Sequence, residues 1–277
     1  MSSATPLHHV SRDVTETFVD IAGHRIRMLR AGAGPAILYL HGVGDLGGWI
    51  PPLSELAKDH LVLRPDHPGF NGSDDMSVDS PADVAAVYSR LLDELGVESA
   101  TVVGCSFGGW IATELALLEP VRVSRLVLID PAGMPAEEPR PRLSDLGAAE
   151  AVALTYFEPD VRAAATARAV RLPEDDPAAH ARQVRNSRTA RRLGPDLHDA
   201  GLPARVAALE QPVLVVWGEF DGIIPLSHAR SWTSAIPHAE LQIVPRTGHL
   251  PHVEKPTDFF ARTDSVWPAT ARSVRRD

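Results

Sequence analysis

The stretch Thr101-Val102-Val103-Gly104-Cys105-Ser106-Phe107-Gly108-Gly109-Trp110 joins a β-branched apolar run to Gly-x-Ser-x-Gly, and a helical pattern opens behind it through Ile111, Leu115 and Leu118. Strand, sharp turn and helix, in that order, is the setting in which this pentapeptide lifts a serine hydroxyl clear of the chain as a nucleophile elbow. Gly104 and Gly108 leave room where a Cβ would collide with a neighbouring element. The competing reading is a glycine-rich loop that only packs a helix on a sheet. It is disfavoured because the flanks and the residues further along the chain agree with the elbow.

Working outward, short apolar runs alternate with helical patterns, which indicates an α/β sheet. Strands are predicted at Thr17–Asp20, Arg25–Leu29, Ala36–Leu40, Leu61–Arg64, Ala100–Val103, Arg125–Ile129, Val213–Trp217 and Glu240–Val244. Helices are predicted near Pro52–Lys58, Pro81–Leu95, Phe107–Leu118, Leu226–Ala235 and Pro256–Val266. Ser80-Pro81-Ala82-Asp83 is a helix start with a capping serine, Pro at the first position and an early acid. Between about Pro131 and Glu210 the rhythm breaks into a Pro-rich entry and Ala/Arg helical patterns without a convincing strand. This segment, 132–210, reads as a helical insertion whose apolar face lies against a core made of 1–131 and 211–277. It lacks the apolar density for a core of its own. The tail from Arg272 to Asp277 is charged and expected to fray.

A serine hydroxyl is a poor nucleophile at neutral pH and needs a base, which in turn needs an orienting acid. Two strands downstream end in such groups. Val213–Trp217 runs into Gly218-Glu219-Phe220-Asp221, and Glu240–Val244 leads to Pro245-Arg246-Thr247-Gly248-His249. Ser106, Asp221 and His249 therefore form a candidate triad in a recurring chain order. Glu219 sits nearer the strand and should point elsewhere. Asp130 also ends a strand and competes for the acid position, its alternative being a helix or turn cap. His252 is expected to pack or bond locally. The oxyanion hole needs two convergent amides, for which Phe107 and Val43, in the loop His41-Gly42-Val43-Gly44, are the candidates. His41, Gly42, Trp110 and Leu250 flank these groups and are candidate substrate contacts.

One decoy lies in that loop. Gly42-Val43-Gly44-Asp45-Leu46-Gly47 fits G-x-G-x-x-G after a strand, and Asp66 follows at about a dinucleotide spacing. Trp49 and the pair Pro51-Pro52 leave only a stubby helix behind it, and a nucleotide reading leaves Ser106, Asp221 and His249 unexplained. No metal-binding motif or phosphate loop is present, so no cofactor and no metal are expected. The 277 residues are 44% hydrophobic, enough for a large core without staples. A net charge of −9 and a pI near 5.7 argue against nucleic-acid and anionic-membrane partners. Lysine occurs only at Lys58 and Lys255, an Arg bias that reflects genome composition. Cys105, the single cysteine, precedes the nucleophile and reads as a buried filler. With no leader-like N-terminus and no spanning apolar run, a soluble, cytoplasmic protein is expected. Monomer and homodimer are both compatible with the chain.

Together these pieces resemble the α/β-hydrolase superfamily. The matching segments are His41-Gly42-Val43-Gly44, the run from Pro65 to Asp74, the elbow, Trp217-Gly218-Glu219-Phe220-Asp221 and Gly248-His249. The resemblance implies an eight-stranded, mostly parallel sheet flanked by helices, with a helical cap after the sixth strand. It implies the triad Ser106, Asp221 and His249 and an oxyanion hole of the Val43 and Phe107 amides. Within the superfamily the chain looks like capped serine carboxylesterases and meta-cleavage-product hydrolases, which break carbon–carbon bonds with the same triad. It departs from the latter in having Leu250, not Trp, after His249, and in lacking a Gly-Pro-Gly ending after His41. Dehalogenases and epoxide hydrolases need Asp where Ser106 stands. The implied function is hydrolysis of small to medium, largely apolar esters. The alternatives are C–C cleavage of vinylogous diketone acids and a ligand receptor that kept the fold. Cap residues Arg185, Arg188 and Arg192 share a helical face, read either as solvated or as a carboxylate clamp. Leu143, Leu146, Val152, Leu154, Tyr156 and Phe157 shape an apolar pocket or pack the cap.

Overall fold

A computed structural model describes residues 13–135, 141 and 146–267. Leu143, most of the N-terminal stretch and the charged tail lie outside them. The strands are β1 (Thr15–Ile21), β2 (His24–Ala31), β3 (Ala36–Leu40), β4 (Leu61–Pro65), β5 (Ala100–Cys105), β6 (Val123–Ile129), β7 (Val213–Gly218) and β8 (Glu240–Val244). They form one eight-stranded sheet in the order β1-β2-β4-β3-β5-β6-β7-β8. The pairs β1–β2 and β2–β4 are antiparallel, and every later pair is parallel.

Parallel strands covered on both faces need apolar side chains on both, and read as unbroken hydrophobic runs. All six residues of β5 are buried. Alternation then sorts the side chains between two layers. Leu38, Leu40, Val102 and Val215 enter a core with helices α2 (Pro81–Glu94), α3 (Phe107–Leu118) and α8 (Ser227–Ala235). Ile37, Tyr39, Val103 and Val216 enter the other with Leu53 and Leu56 of α1 (Pro51–Leu56) and Phe259 of α10 (Pro256–Thr263). The start of α2 is as read from the sequence. Ser80 Oγ accepts the Asp83 amide at 3.1 Å, and Pro81 opens the helix.

Between β6 and β7 stand α4 (Ala148–Thr155), α5 (Pro159–Asp175), α6 (Pro177–Leu193) and α7 (Leu202–Val206). The segment expected as an insertion, 132–210, is helical, and Ala132, Met134, Leu202, Val206 and Leu209 near its two ends join the main core cluster. The insertion's apolar contact with the core comes mainly from α6, which sends Ala190 and Leu193 into that cluster, whereas no residue of α4 is buried and α5 buries only Leu172. Among the described residues no helix is long and apolar enough to cross a membrane.

Candidate active site

Strands β5, β6, β7 and β8 are neighbours in the sheet and run parallel, so their C-terminal ends share one edge. Ser106 follows β5, Asp130 follows β6, and Asp221 and His249 lie in the loops after β7 and β8. Ser106 has φ 54° and ψ −120°, a conformation that L-residues hold only when their surroundings enforce it. Its amide bonds to the Ile129 carbonyl at 2.9 Å, and its carbonyl accepts Gly109 and Ala132 amides at 2.9 and 3.0 Å. A Cβ on Gly104 would lie 2.4 Å from the Gly108 carbonyl oxygen, and one on Gly108 would lie 2.2 Å from that of Leu40. The turn can be this tight only without those two side chains.

Asp221 and His249 meet. His249 Nδ1 and Asp221 Oδ2 are 2.7 Å apart, and both residues are buried. Asp221 Oδ1 accepts the Ile223 and Ile224 amides at 2.8 and 2.9 Å, which holds the carboxylate in place. With the Asp221 carboxylate accepting at Nδ1, the imidazole's Nε2 is left to act as a base. Among the described residues no hydrogen bond joins Ser106 Oγ to the imidazole, and catalytic bonds of this kind commonly tighten only when substrate fills the site. Asp130 is not the partner of His249. Its Oδ1 accepts the Gly218 amide at 2.8 Å. Glu219 turns away to accept the Arg246 amide at 2.9 Å. His252 bonds the Tyr39 hydroxyl at 3.0 Å, a partner distant in sequence, and burial lowers its pKa to about 3.

The loop after β3 comes close to the serine. A Cβ on Gly42 would sit 3.3 Å from Ser106 Cβ. The amides of Val43 and Phe107 donate to no other group among the described residues, which leaves both available to an anion. Three expected substrate contacts are better explained by packing. His41 is fully buried, with Nδ1 2.8 Å from the Gly42 carbonyl and Nε2 accepting the His67 amide at 3.2 Å. Its ring stacks on His67 at 3.9 Å, and burial, helped by Arg64, lowers its pKa to about 4. It is a neutral strut under the loop. Trp110 is buried, bonds Glu114 at 3.0 Å and packs against Gly133 and Gly194. Leu250 is half-buried beside the second core cluster. The Cys105 thiol is buried and pushed well up in pKa by that burial, which leaves it inert.

A family model described as alpha/beta hydrolase fold matches residues 35–256. The chain belongs to the α/β-hydrolase family. It is 33% identical over 254 residues to the dihydrolipoyllysine-residue acetyltransferase component of the acetoin cleaving system of Cupriavidus necator, across 88% of this chain and 67% of the relative. It is 29% identical over 281 residues to the 2-hydroxy-6-oxo-6-phenylhexa-2,4-dienoate hydrolase of Burkholderia cepacia, across 91% of this chain and 96% of that one. The solved structure of the hydrolase of the same name from Rhodococcus sp. strain RHA1 superposes with a TM-score of 0.76, at 23% identity, over 93% of this chain and 99% of the other. The fold is common to both.

In this α/β-hydrolase the helical insertion grips the site at two places. The end of α4 presents its carbonyls to both triad loops: Thr155 accepts the His249 amide at 2.7 Å and Leu154 accepts Gly222 at 3.1 Å. Glu254 ties the same corner, accepting the Gly248 amide at 2.7 Å and the Glu158 amide at 2.5 Å. Phe157 stacks on Phe220 at 4.2 Å, and Leu154 packs against the main core, so these two pack the insertion. The second grip is α6. Asn186 is fully buried and donates to the Asp45 carbonyl and to Asn71 Oδ1, both at 2.9 Å, while accepting the Asn71 amide at 3.0 Å. Asp45 and Asp66 bind the fully buried Arg64, which anchors the loop that carries Val43.

The Arg face of α6 also serves as an anchor. Arg185 donates to the Asn71 and Ser73 carbonyls at 2.6 and 3.3 Å, and Arg192 to the Val78 carbonyl, while Arg188 is exposed. Two of the three arginines fasten the insertion to the core. The pseudo-dinucleotide motif resolves likewise, since Asp66 accepts from Arg27, Arg64 and Gly72 inside the protein. A cavity of about 250 Å³ opens between Leu46 of the β3 loop and the α5–α6 hairpin, lined also by Arg168, Leu172, Asp175, Asp176, Ala179 and Arg182. Asn186, Glu254 and the carbonyls of Leu154 and Thr155 were not foreseen, because nothing in their local sequence marks them.

Proposed function

We propose that this chain is a serine hydrolase that cleaves small to medium, largely apolar carboxylic esters through an acyl-enzyme. Ser106 would be the nucleophile, His249 the general base and Asp221 its orienting acid. The observation that carries this reading is the 2.7 Å bond between Asp221 and His249 at the sheet edge where the strained Ser106 turn lies. Nε2 takes the Ser106 proton as Oγ bonds to the substrate carbonyl carbon. The resulting oxyanion is met by the Val43 and Phe107 amides, each worth ~10²–10³ in rate in such sites. The imidazolium then returns its proton to the departing alkoxide as the tetrahedral intermediate collapses. Water, deprotonated by the same Nε2, repeats the sequence and frees the acid. A fluorophosphonate probe should label Ser106, and a p-nitrophenyl ester should give a burst of about one equivalent per site. Ser106→Ala should abolish both. An unlabelled serine with tight ligand binding and negligible turnover would replace this reading with a receptor.

A second reading is hydrolytic C–C cleavage of a vinylogous diketone acid. Its support is the likeness to dienoate hydrolases along nearly their whole length. Arg168 and Arg182 at the cavity are the cations such a carboxylate could meet. The ester reading stands first because Arg185 and Arg192 are committed to core carbonyls, and because Leu250 follows His249. Turnover of a dienoic acid against that of simple esters, on one enzyme preparation, separates the two.

A further inference from the structure

The chemistry proposed for the site leaves Asp130 without a task, yet its placement is costly. It is fully buried, and its backbone is held at φ 44°. Oδ1 accepts the Gly218 amide, but Oδ2 is buried and finds no donor. Asp130, Asp221 and His249 each offer a polar atom within 4.8 Å of the others. Asp221 already accepts three hydrogen bonds, from the Ile223 and Ile224 amides and from His249. Two carboxylates this close in a buried site cannot both stay ionised, so the pair holds one proton. Three donors already converge on Asp221, whereas Asp130 has one. Asp130 takes the proton, and Oδ2 becomes the donor that its surroundings lack.

We propose that Asp130 is a neutral carboxylic acid whose Oδ2–H donates to Asp221, making it a positioning residue for the group that orients His249. The inference rests on the hydrolase reading of Ser106, Asp221 and His249. The other ionisable groups around the pair do not favour a second negative charge. Burial is the first cause that raises the Asp130 carboxyl, followed by the charge on Asp221, and Glu254 adds to it from α9 (Pro251–Glu254). Cys105 of β5 faces both acids as a neutral thiol. Asp130 therefore fixes the Asp221 carboxylate against His249 and draws charge from it.

Asparagine at 130 retains an acceptor for Gly218 and a donor toward Asp221, and it matches a neutral acid in charge. Asp130→Asn should keep kcat within about threefold and leave the acidic limb of the kcat/KM profile where it is. Asp130→Leu should lower kcat by up to about 100-fold with little change in KM, and raise the apparent pKa of that limb. Were Asp130 ionised, the Asn variant would remove a negative charge beside His249, and its limb would fall by about one pH unit. That shift overturns the proposal. Infrared difference spectra supply a readout independent of turnover. A protonated-carboxyl stretch should be present in the wild type at neutral pH and lost in Asp130→Asn. If the wild type lacks the band, the proton assignment fails while the hydrolase reading stands. If the band is present in a protein that cleaves no ester, the assignment holds and the hydrolase reading fails.

Discussion

β5 and α6 both press against the rest of the molecule, but by different means. β5 buries six consecutive small or apolar residues, and beside it β3 and the second half of β6, Leu126–Ile129, are apolar runs too. α6 has 17 residues and buries Ala179, Asn186, Thr189, Ala190 and Leu193, with hydrogen bonds from Arg185, Asn186, Thr189 and Arg192 to backbone groups of the core. Apolar burial is non-directional and sums over many contacts, so it fixes the position of an element without depending on any one atom. A buried amide depends on a particular partner at a particular distance. The sheet is thus held diffusely and the insertion by a few points, two of which touch the loops around Ser106 and His249.

The largest test of this contrast lies at the sheet edge. If the core supplies the chemistry and the insertion only steadies it, Asp221→Asn should lower kcat by about 10⁴-fold with the fold intact, as loss of the orienting acid does in serine hydrolases. Steady-state kinetics with circular dichroism would check it. A loss smaller than tenfold would mean that the 2.7 Å contact with His249 is structural, and the contrast would lose its functional half.

Next comes a pair of swaps of equal size. Leu128→Met in β6 conserves volume in a close-packed apolar layer and should cost under about 1.5 kcal/mol. Asn186→Leu also conserves volume, but it strands the Asp45 carbonyl and the backbone amide and Oδ1 of Asn71, and should cost more, about 1–3 kcal/mol for each group left unsatisfied. Because Asp45 lies two residues from Val43, kcat should fall as well, about tenfold. Urea midpoints and ester turnover measure both. Equal costs in the two variants would erase the distinction between diffuse and point-wise support.

Why the strands were legible and the anchors were not follows from the same distinction. β3 and β8 match the predicted bounds: Ala36–Leu40 is the unbroken apolar run a buried parallel strand needs, and Glu240–Val244, at the sheet edge, mixes polar with apolar residues and buries only Val244. The order of Ser106, Asp221 and His249 was readable because each ends a strand or lies in the loop that follows one. The partners of α6 were not. Helical periodicity tells that Arg185 and Arg192 share a face, but not that the Asn71, Ser73 and Val78 carbonyls lie opposite. Asp130 was visible as a strand-end acid. Its environment comes from β7 and the loops beyond it, which no local pattern specifies. The burial of His41 and Trp110 was not legible either, because closeness to a motif in sequence does not reveal packing under it.

Acid should loosen the diffuse part of the structure first. Burial lowers the pKa of His41 to about 4 and that of His252 to about 3, and both are packed in the core. Between an unfolded value near 6.5 and these folded values, the unfolded chain binds protons that the native protein refuses. The stability each neutral ring contributes is therefore complete above about pH 6.5 and falls as the pH drops toward 4, by about 1.4 kcal/mol per pH unit per histidine. The lowered Asp66 carboxyl acts in the same direction at more acid pH. Urea unfolding between pH 7 and 4.5 should show this slope, and His252→Gln should reduce it. A flat profile would place both rings outside the cooperative core.

The smallest effect sharpens the comparison within α6 itself. Arg188 lies on the same helical face as Arg185 and Arg192, yet it is exposed where they reach core carbonyls. If the point contacts hold the insertion, and not the positive face as a whole, Arg188→Ala should change stability by less than about 0.5 kcal/mol and leave ester turnover unaltered. Arg185→Ala removes one charge of the same sign but unpairs two carbonyls, so it should cost at least twice as much. The pair holds charge and helix propensity equal, which leaves the hydrogen bonds as the variable. A carboxylate clamp predicts another pattern: Arg188→Ala would raise KM for an acidic substrate and spare a neutral one. Measuring both substrates on both variants therefore tests the anchor and the clamp in a single experiment, and equal, substrate-independent losses would show that neither describes this face.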